Sequence, residues 1–174
     1  EVGSDASLDE NTSFAICASL KAFTTASLPM LADEGELSWD DPATRYLPGL
    51  QLHDPYATRE LTVRDLVTHR SGLPRCDQVW YGTSFDRDEV LRRVRHCEPS
   101  WSFRSNFGYQ NIMYLAAGEV VSEVSGTRWD TFVERRIFDP LGMERATTSV
   151  DSLDGMANVG ARHEEVDGEL QAGP

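Results

Sequence analysis

The segment from Asn111 to Gly126 constrains the fold most tightly. Met113, Ala116, Ala117, Val120, Val121 and Val124 recur at spacings of three and four residues. That recurrence marks one face of an α-helix and predicts a helix over Asn111–Val124. Gly126 follows, a residue able to take the left-handed conformation that closes a helix. An apolar stripe of this length needs other elements to cover it.

The remaining punctuation is mostly helical as well. Thr12 and Ser13 are good N-cap residues. A pattern of Phe14, Ile16, Cys17, Leu20, Phe23, Leu28 and Leu31 predicts a helix from there to Gly35. Pro29 is expected to kink it or to end its regular part near residue 28. Asp41-Pro42 and Asp54-Pro55 mark turns around a short amphipathic stretch, Ala43–Leu47. Thr62 and Asp65 have the spacing of a capping box, opening a helix to about His69 that Ser71-Gly-Leu-Pro74 ends. A helix is expected at Arg87–His96 with Asp86 and Glu89 at its acidic start. Residues 98–108 read as an irregular loop. Thr127-Arg-Trp-Asp130 is expected to cap a last helix reaching Phe138, stopped by Asp139-Pro140. The tail after Gly142 holds strand-like pieces among turn formers. Strand signals are few, so the chain reads as mostly α.

Composition narrows the function. The 174 residues fit one domain with a real core. The net charge of −13 repels phosphate backbones and argues against a nucleic-acid binder. No run of 18 apolar residues exists, so no transmembrane helix is expected. Cys17, Cys76 and Cys97 lack the close pairing of a zinc site. Free thiols are the default reading; at most one bridge is expected, and spacing does not choose it. The N-terminus has no signal-peptide apolar core and no initiator Met, so a mature form or a fragment is expected and the compartment stays open.

The basic residues are lopsided. Of 16 Lys and Arg, 15 are Arg, and Lys21 is the only lysine. GC-rich coding explains this, and so does a halophilic surface. In general, a lysine near a helix start can serve as a base, because burial and the helix N-terminus both disfavour an ammonium. A neutral amine can take a proton from a serine hydroxyl one turn away, the logic of S-x-x-K. A tyrosine can complete the relay, and an asparagine can hold an ester or amide. Tyr109 and Asn111 stand just before the clearest helix, two apart, so that both side chains can point one way.

Several segments together resemble the serine β-lactamase-like and penicillin-binding-protein-like hydrolases, closest to the class C β-lactamase and esterase branch. Phe14-Ala-Ile-Cys-Ala-Ser-Leu-Lys21 resembles the nucleophile helix. Leu31-Ala-Asp-Glu-Gly-Glu-Leu-Ser-Trp-Asp-Asp-Pro42 resembles the segment that follows it. Thr62-Val-Arg-Asp-Leu-Val-Thr-His69-Arg-Ser-Gly-Leu-Pro74 resembles the H-x-S-G-L signature. Tyr109-Gln-Asn111 is similar to the Y-x-N motif, and Ile137-Phe-Asp-Pro-Leu-Gly-Met143 to I-F-x-P-L-G-M. The resemblance implies an α/β (α+β) β-lactamase/transpeptidase-like fold. Residues 1–174 would form a single partial domain, mainly its helical part and so α-rich with few strands. It implies acyl transfer through an acyl-enzyme on a small-molecule ester, amide or β-lactam. Lys21 and Tyr109 would be catalytic and Asn111 substrate-binding. It implies no cofactor and no metal, an often exported or periplasmic protein, and leaves the oligomeric state open.

Two departures qualify those expectations. Ala18 stands three residues before Lys21, where the family has its serine. Ser19 is only two away, about 200° round a helix, and does not face Lys21. Cys17, four away, shares the face of Lys21. No segment after Asn111 matches the third motif, K-T-G or H-x-G, whose strand also supplies an oxyanion-hole N–H. Little or no hydrolase activity is therefore expected. The alternatives are a non-catalytic binding or interaction protein on the same fold, or a fragment without separate function. His69 reads as structural beneath the site. His53, His96 and His163 show no ligand spacing. Glu34 and Asp65 read as solvated or capping, and the Arg92-Arg93 and Arg135-Arg136 pairs as exposed helix faces.

Overall fold

The computed structural model describes residues 7–172. They group into two compact units: Lys21–Val133, and the described residues that precede and follow it in the chain.

In the Lys21–Val133 unit, seven α-helices follow one another. They are α1 (Lys21–Asp33), α2 (Ala43–Tyr46), α3 (Pro55–Glu60), α4 (Val63–Leu66), α5 (Arg87–Arg93), α6 (Ile112–Ser125) and α7 (Trp129–Val133). Helix α6 is the hub, packed by α1, α2, α4, α5 and α7. Its predicted stripe is buried: Met113, Ala116, Ala117, Val120 and Val121 are all fully inside. Ile112 joins them from the first turn. Gly126 takes φ +68°, the left-handed end that its position predicted.

Helix α1 departs from expectation at its start. It begins at Lys21 rather than near residue 13, after a 3₁₀ turn over Cys17–Leu20. The cause is local: Cys17 has φ +46°, a conformation that an α-helix does not contain. The C-terminal half runs through Pro29 to Asp33, so the proline does not end the helix. Leu28 and Leu31, buried on either side of the proline, anchor that half. Proline's fixed φ is itself helical, so the cost is one backbone hydrogen bond and the crowding of its ring against the preceding turn. Past the helix, Gly35 at φ +78° and the bond from Glu36 N–H to Leu31 O close α1 as a Schellman end.

Other boundaries follow the capping chemistry. Thr62 and Asp65 form a reciprocal capping box. Helix α4 is shorter than predicted, because His69 turns to φ +55°. Asp86 caps α5 through Glu89 N–H at 2.8 Å, and a 3₁₀ turn carries the chain on to His96. Thr127 does not cap α7; the Trp129 N–H bonds to Ser122 Oγ at 3.0 Å. The default of free thiols is corrected at two positions: Cys76 and Cys97 form a disulfide. Cys17 remains free and exposed.

In the other unit, Ser13 forms an isolated parallel bridge with Val159. Ser13 N–H bonds to Asn158 O at 3.0 Å, and Gly160 N–H to Ser13 O at 2.8 Å. That pairing is the second reason why residues 12–16 are not helical. A π-helical turn spans Glu134–Phe138. The tail ends in an antiparallel hairpin of β1 (His163–Val166) and β2 (Glu169–Ala172). Its turn, Asp167-Gly168, has positive φ at both residues, as a tight two-residue hairpin requires.

Candidate active site

Lys21 opens α1 with its side chain half-buried. Nζ donates to Tyr109 Oη at 2.9 Å and to Asn111 Oδ1 at 2.6 Å. Tyr109 Oη in turn donates to Asn111 Oδ1 at 3.4 Å. The same Nζ lies 5.0 Å from the Tyr109 ring centroid and 5.5 Å from that of Tyr114, within cation–π range. The three residues singled out from sequence thus converge in space, across about ninety residues of chain.

Their convergence depends on the residue between them. Tyr109 and Asn111 turn toward Lys21, while Gln110 points into the core and is 1% exposed. Gln110 Nε2 donates to Ser71 Oγ at 2.6 Å, and its Oε1 accepts from Met113 N–H at 2.9 Å. Gln110 therefore satisfies an orphan amide in the first turn of α6, a task that Asn111 does not perform. This frees the Asn111 carboxamide for Lys21.

His69 supports the turn from below. Its carbonyl accepts from Gly108 N–H at 2.8 Å, and its Nδ1 accepts from Gln110 N–H at 3.4 Å. The imidazole packs on Tyr109 at 4.7 Å, Tyr114 at 5.1 Å and Phe107 at 5.5 Å between ring centroids. Burial, then the charge of Lys21, holds the His69 pKa below its ordinary 6.5. Tyr114 is fixed separately, its hydroxyl donating to Val67 O at 2.9 Å.

Behind this cluster the loop of residues 98–108 is fastened to the chain around residues 65–72. Gly72 O accepts from both Ser100 N–H and Trp101 N–H. A Cβ on Gly72 would come within 2.5 Å of Trp101 O, and Gly72 also has φ +87°. A Cβ on Gly108 would come within 2.4 Å of the Trp101 ring. Glycine at both places lets the loop lie flat. Arg104 grips Asp65 with two bonds of 3.0 and 2.6 Å, and the Arg70 guanidinium donates to Arg104 O. Burial pushes the Asp65 carboxyl up, but the bonds from Arg104 and Thr62 outweigh it and keep its pKa below the ordinary value. Sequence reads Asp65 as solvated or capping; its partner Arg104, 39 residues away, carries no local signal there.

Cys17, Ala18 and Ser19 lie in the exposed 3₁₀ turn before α1. Among the described residues, no group of three His, Cys, Asp or Glu is placed to hold a metal ion. Among them, too, no helix is long and apolar enough to cross a membrane.

A family model described as Beta-lactamase matches residues 1–173. The chain is 28% identical over 152 residues to the unguisins hydrolase ungD of Aspergillus violaceofuscus, covering 82% of this chain and 27% of that protein. It is 29% identical over 145 residues to penicillin-binding protein 4* of Bacillus subtilis, covering 78% and 30% respectively. The solved octameric penicillin-binding protein homologue from Pyrococcus abyssi matches with a TM-score of 0.72 at 26% identity, over 88% of this chain and 37% of that one. The chain thus spans about a third or less of the curated relatives that it resembles. Helical scaffold and relatives together define the β-lactamase/transpeptidase-like fold in a helix-rich form. The chain belongs to the beta-lactamase family.

Proposed function

We propose that Lys21, Tyr109 and Asn111 are the proton-handling half of an acyl-transfer site, and that the chain as written has little or no hydrolase activity. The observation that carries the first part is the pair of hydrogen bonds from Lys21 Nζ to Tyr109 Oη and Asn111 Oδ1. In such a site, a serine hydroxyl three residues before the lysine gives its proton to the amine as its oxygen attacks an ester, amide or β-lactam carbonyl. The tyrosine relays a proton toward the leaving group. Water then releases the acyl group. Lys21 is the base in this reading, Tyr109 the relay, and Asn111 the group that orients the lysine and a substrate amide.

Ala18 carries the second part, since a methyl group stands where that chemistry needs a hydroxyl. Losing a nucleophile typically removes several orders of magnitude of rate. The test is incubation with a fluorophosphonate or a penicillin, read by intact mass. No adduct is expected. A stoichiometric adduct would overturn the inactive reading, and peptide mapping would assign it to Ser19 or Cys17. A second reading, non-covalent ligand binding, draws support from the hydrogen bonds around Lys21, which are complete despite Ala18. Saturable binding of a penicillin in calorimetry, with no mass adduct, would favour it.

A further inference from the structure

We propose that His69 is a positioning residue whose neutral imidazole holds Tyr109 against Lys21, so that protonating it loosens the Lys21 contacts. The proposal rests on reading Lys21 and Tyr109 as the site. Three contacts from one residue converge on Tyr109. His69 O takes the N–H of Gly108, Nδ1 takes the N–H of Gln110, and the imidazole packs against the Tyr109 ring between them. The residues on both sides of Tyr109 are therefore tied to the one that supports its ring. The left-handed backbone of His69 makes this possible, because it turns both carbonyl and side chain toward the 108–110 strand of chain.

An Nδ1 that accepts a hydrogen bond must be unprotonated, which leaves the proton of the neutral ring on Nε2. Adding a second proton at Nδ1 converts an acceptor into a donor facing another donor, the Gln110 N–H. It also introduces a positive charge into a cationic neighbourhood. Lys21 from α1 lies over the faces of Tyr109 and Tyr114, the two rings that pack on the imidazole. Arg75 lies 5.2 Å from the Tyr109 ring centroid. Among the described residues, Tyr109 and Tyr114 are the other titratable groups whose rings pack against the imidazole. Burial and Lys21 both disfavour the imidazolium, in keeping with this geometry.

The composition supplies the probe. Lys21 is the only lysine, so protein grown with lysine labelled by nitrogen-15 at Nζ gives a single side-chain ammonium resonance. Its shift is followed against pH beside the four histidine imidazole signals. The expected result is a step in the Lys21 resonance whose midpoint coincides with the His69 titration. In His69→Asn the step disappears, since Asn tolerates a left-handed backbone but does not titrate. A Lys21 resonance that stays flat while wild-type His69 titrates would overturn the proposal without any variant being needed. A step that persists in a folded His69→Asn would overturn it equally. No substrate enters this measurement. A negative acylation probe therefore bears on the proposed chemistry, and a flat Lys21 titration bears on the role of His69.

Discussion

The 3₁₀ turn Cys17–Leu20 and the turn Tyr109–Asn111 bear the two halves of one proposed chemistry, and they are held in opposite ways. In the first, Cys17, Ala18 and Ser19 are exposed, and among the described residues none makes a side-chain hydrogen bond. In the second, every residue is tied. Tyr109 and Asn111 receive Lys21, Gln110 is buried on Ser71 and Met113, and His69 takes an amide from beneath. On the proposed reading, the contrast teaches that a site can lose its reactive group while its supporting contacts persist. Alanine at position 18 lies in an exposed turn. A loss at Gln110 would break bonds that also hold α6.

The largest effect should come from restoring the missing atom. Ala18→Ser is expected to yield an adduct with the fluorophosphonate where the parent yields none, a gain of several orders of magnitude in labelling rate. Adding Lys21→Ala to that variant should abolish it. Labelling that survives without Lys21 would break the claim that the two turns serve one reaction.

Next in size is the covalent tie near the second turn. Replacing Cys76 and Cys97 by serine opens a loop with a sequence separation of 21. The expected loss is about 3 kcal/mol in denaturant unfolding. Gln110→Ala should follow, at about 2 kcal/mol, because it strips the Met113 amide and the Ser71 hydroxyl of buried partners. It should also weaken the Lys21 contacts, visible as a shift of the single lysine resonance. Were Gln110→Ala as stable as the parent, the second turn would not be a braced region.

A smaller effect concerns pH. The pKa of His69 is below its ordinary 6.5 in the fold. On acidification the unfolded chain takes up that proton first, so stability rises with pH in this window. The contribution is complete above about pH 6.5 and is lost as pH falls below it toward the folded value. Unfolding midpoints compared between roughly pH 5.5 and 7.5 should therefore drop more in the parent than in His69→Asn. Smallest of all, Ser19→Ala should leave both stability and the absence of labelling unchanged. A measurable loss would show that the exposed turn is braced after all.

The sequence made the short-range features legible. The α6 stripe, the Thr62–Asp65 capping box, the Asp86 cap and the Gly126 ending are each set by residues within a turn or two of one another. Lys21, Tyr109 and Asn111 were legible for another reason, their resemblance to motifs. The features that brace them were hidden. Gln110 to Ser71, His69 to Gln110 and Arg104 to Asp65 each join residues about forty apart, and no local period announces such a pair. The start of α1 was misplaced because its apolar spacing continues through Cys17, whereas pairing of Ser13 with residues 158–160 pulls the chain out of the helix. Three cysteines could not reveal their partners, since spacing does not define connectivity.

The single bridge also has a consequence for how the chain oxidises. Three cysteines permit three pairings, and they differ in the stretch of chain each must loop. Cys76 and Cys97 are separated by 21 positions, whereas Cys17 lies roughly 60 and 80 positions from them. Loop closure grows costlier with the logarithm of length, here by about 1 kcal/mol for either wrong pair. An unstructured chain should therefore close the native bridge about five to seven times more often than either alternative, before any helix has formed. The spacing itself acts as a proofreader for the thiols.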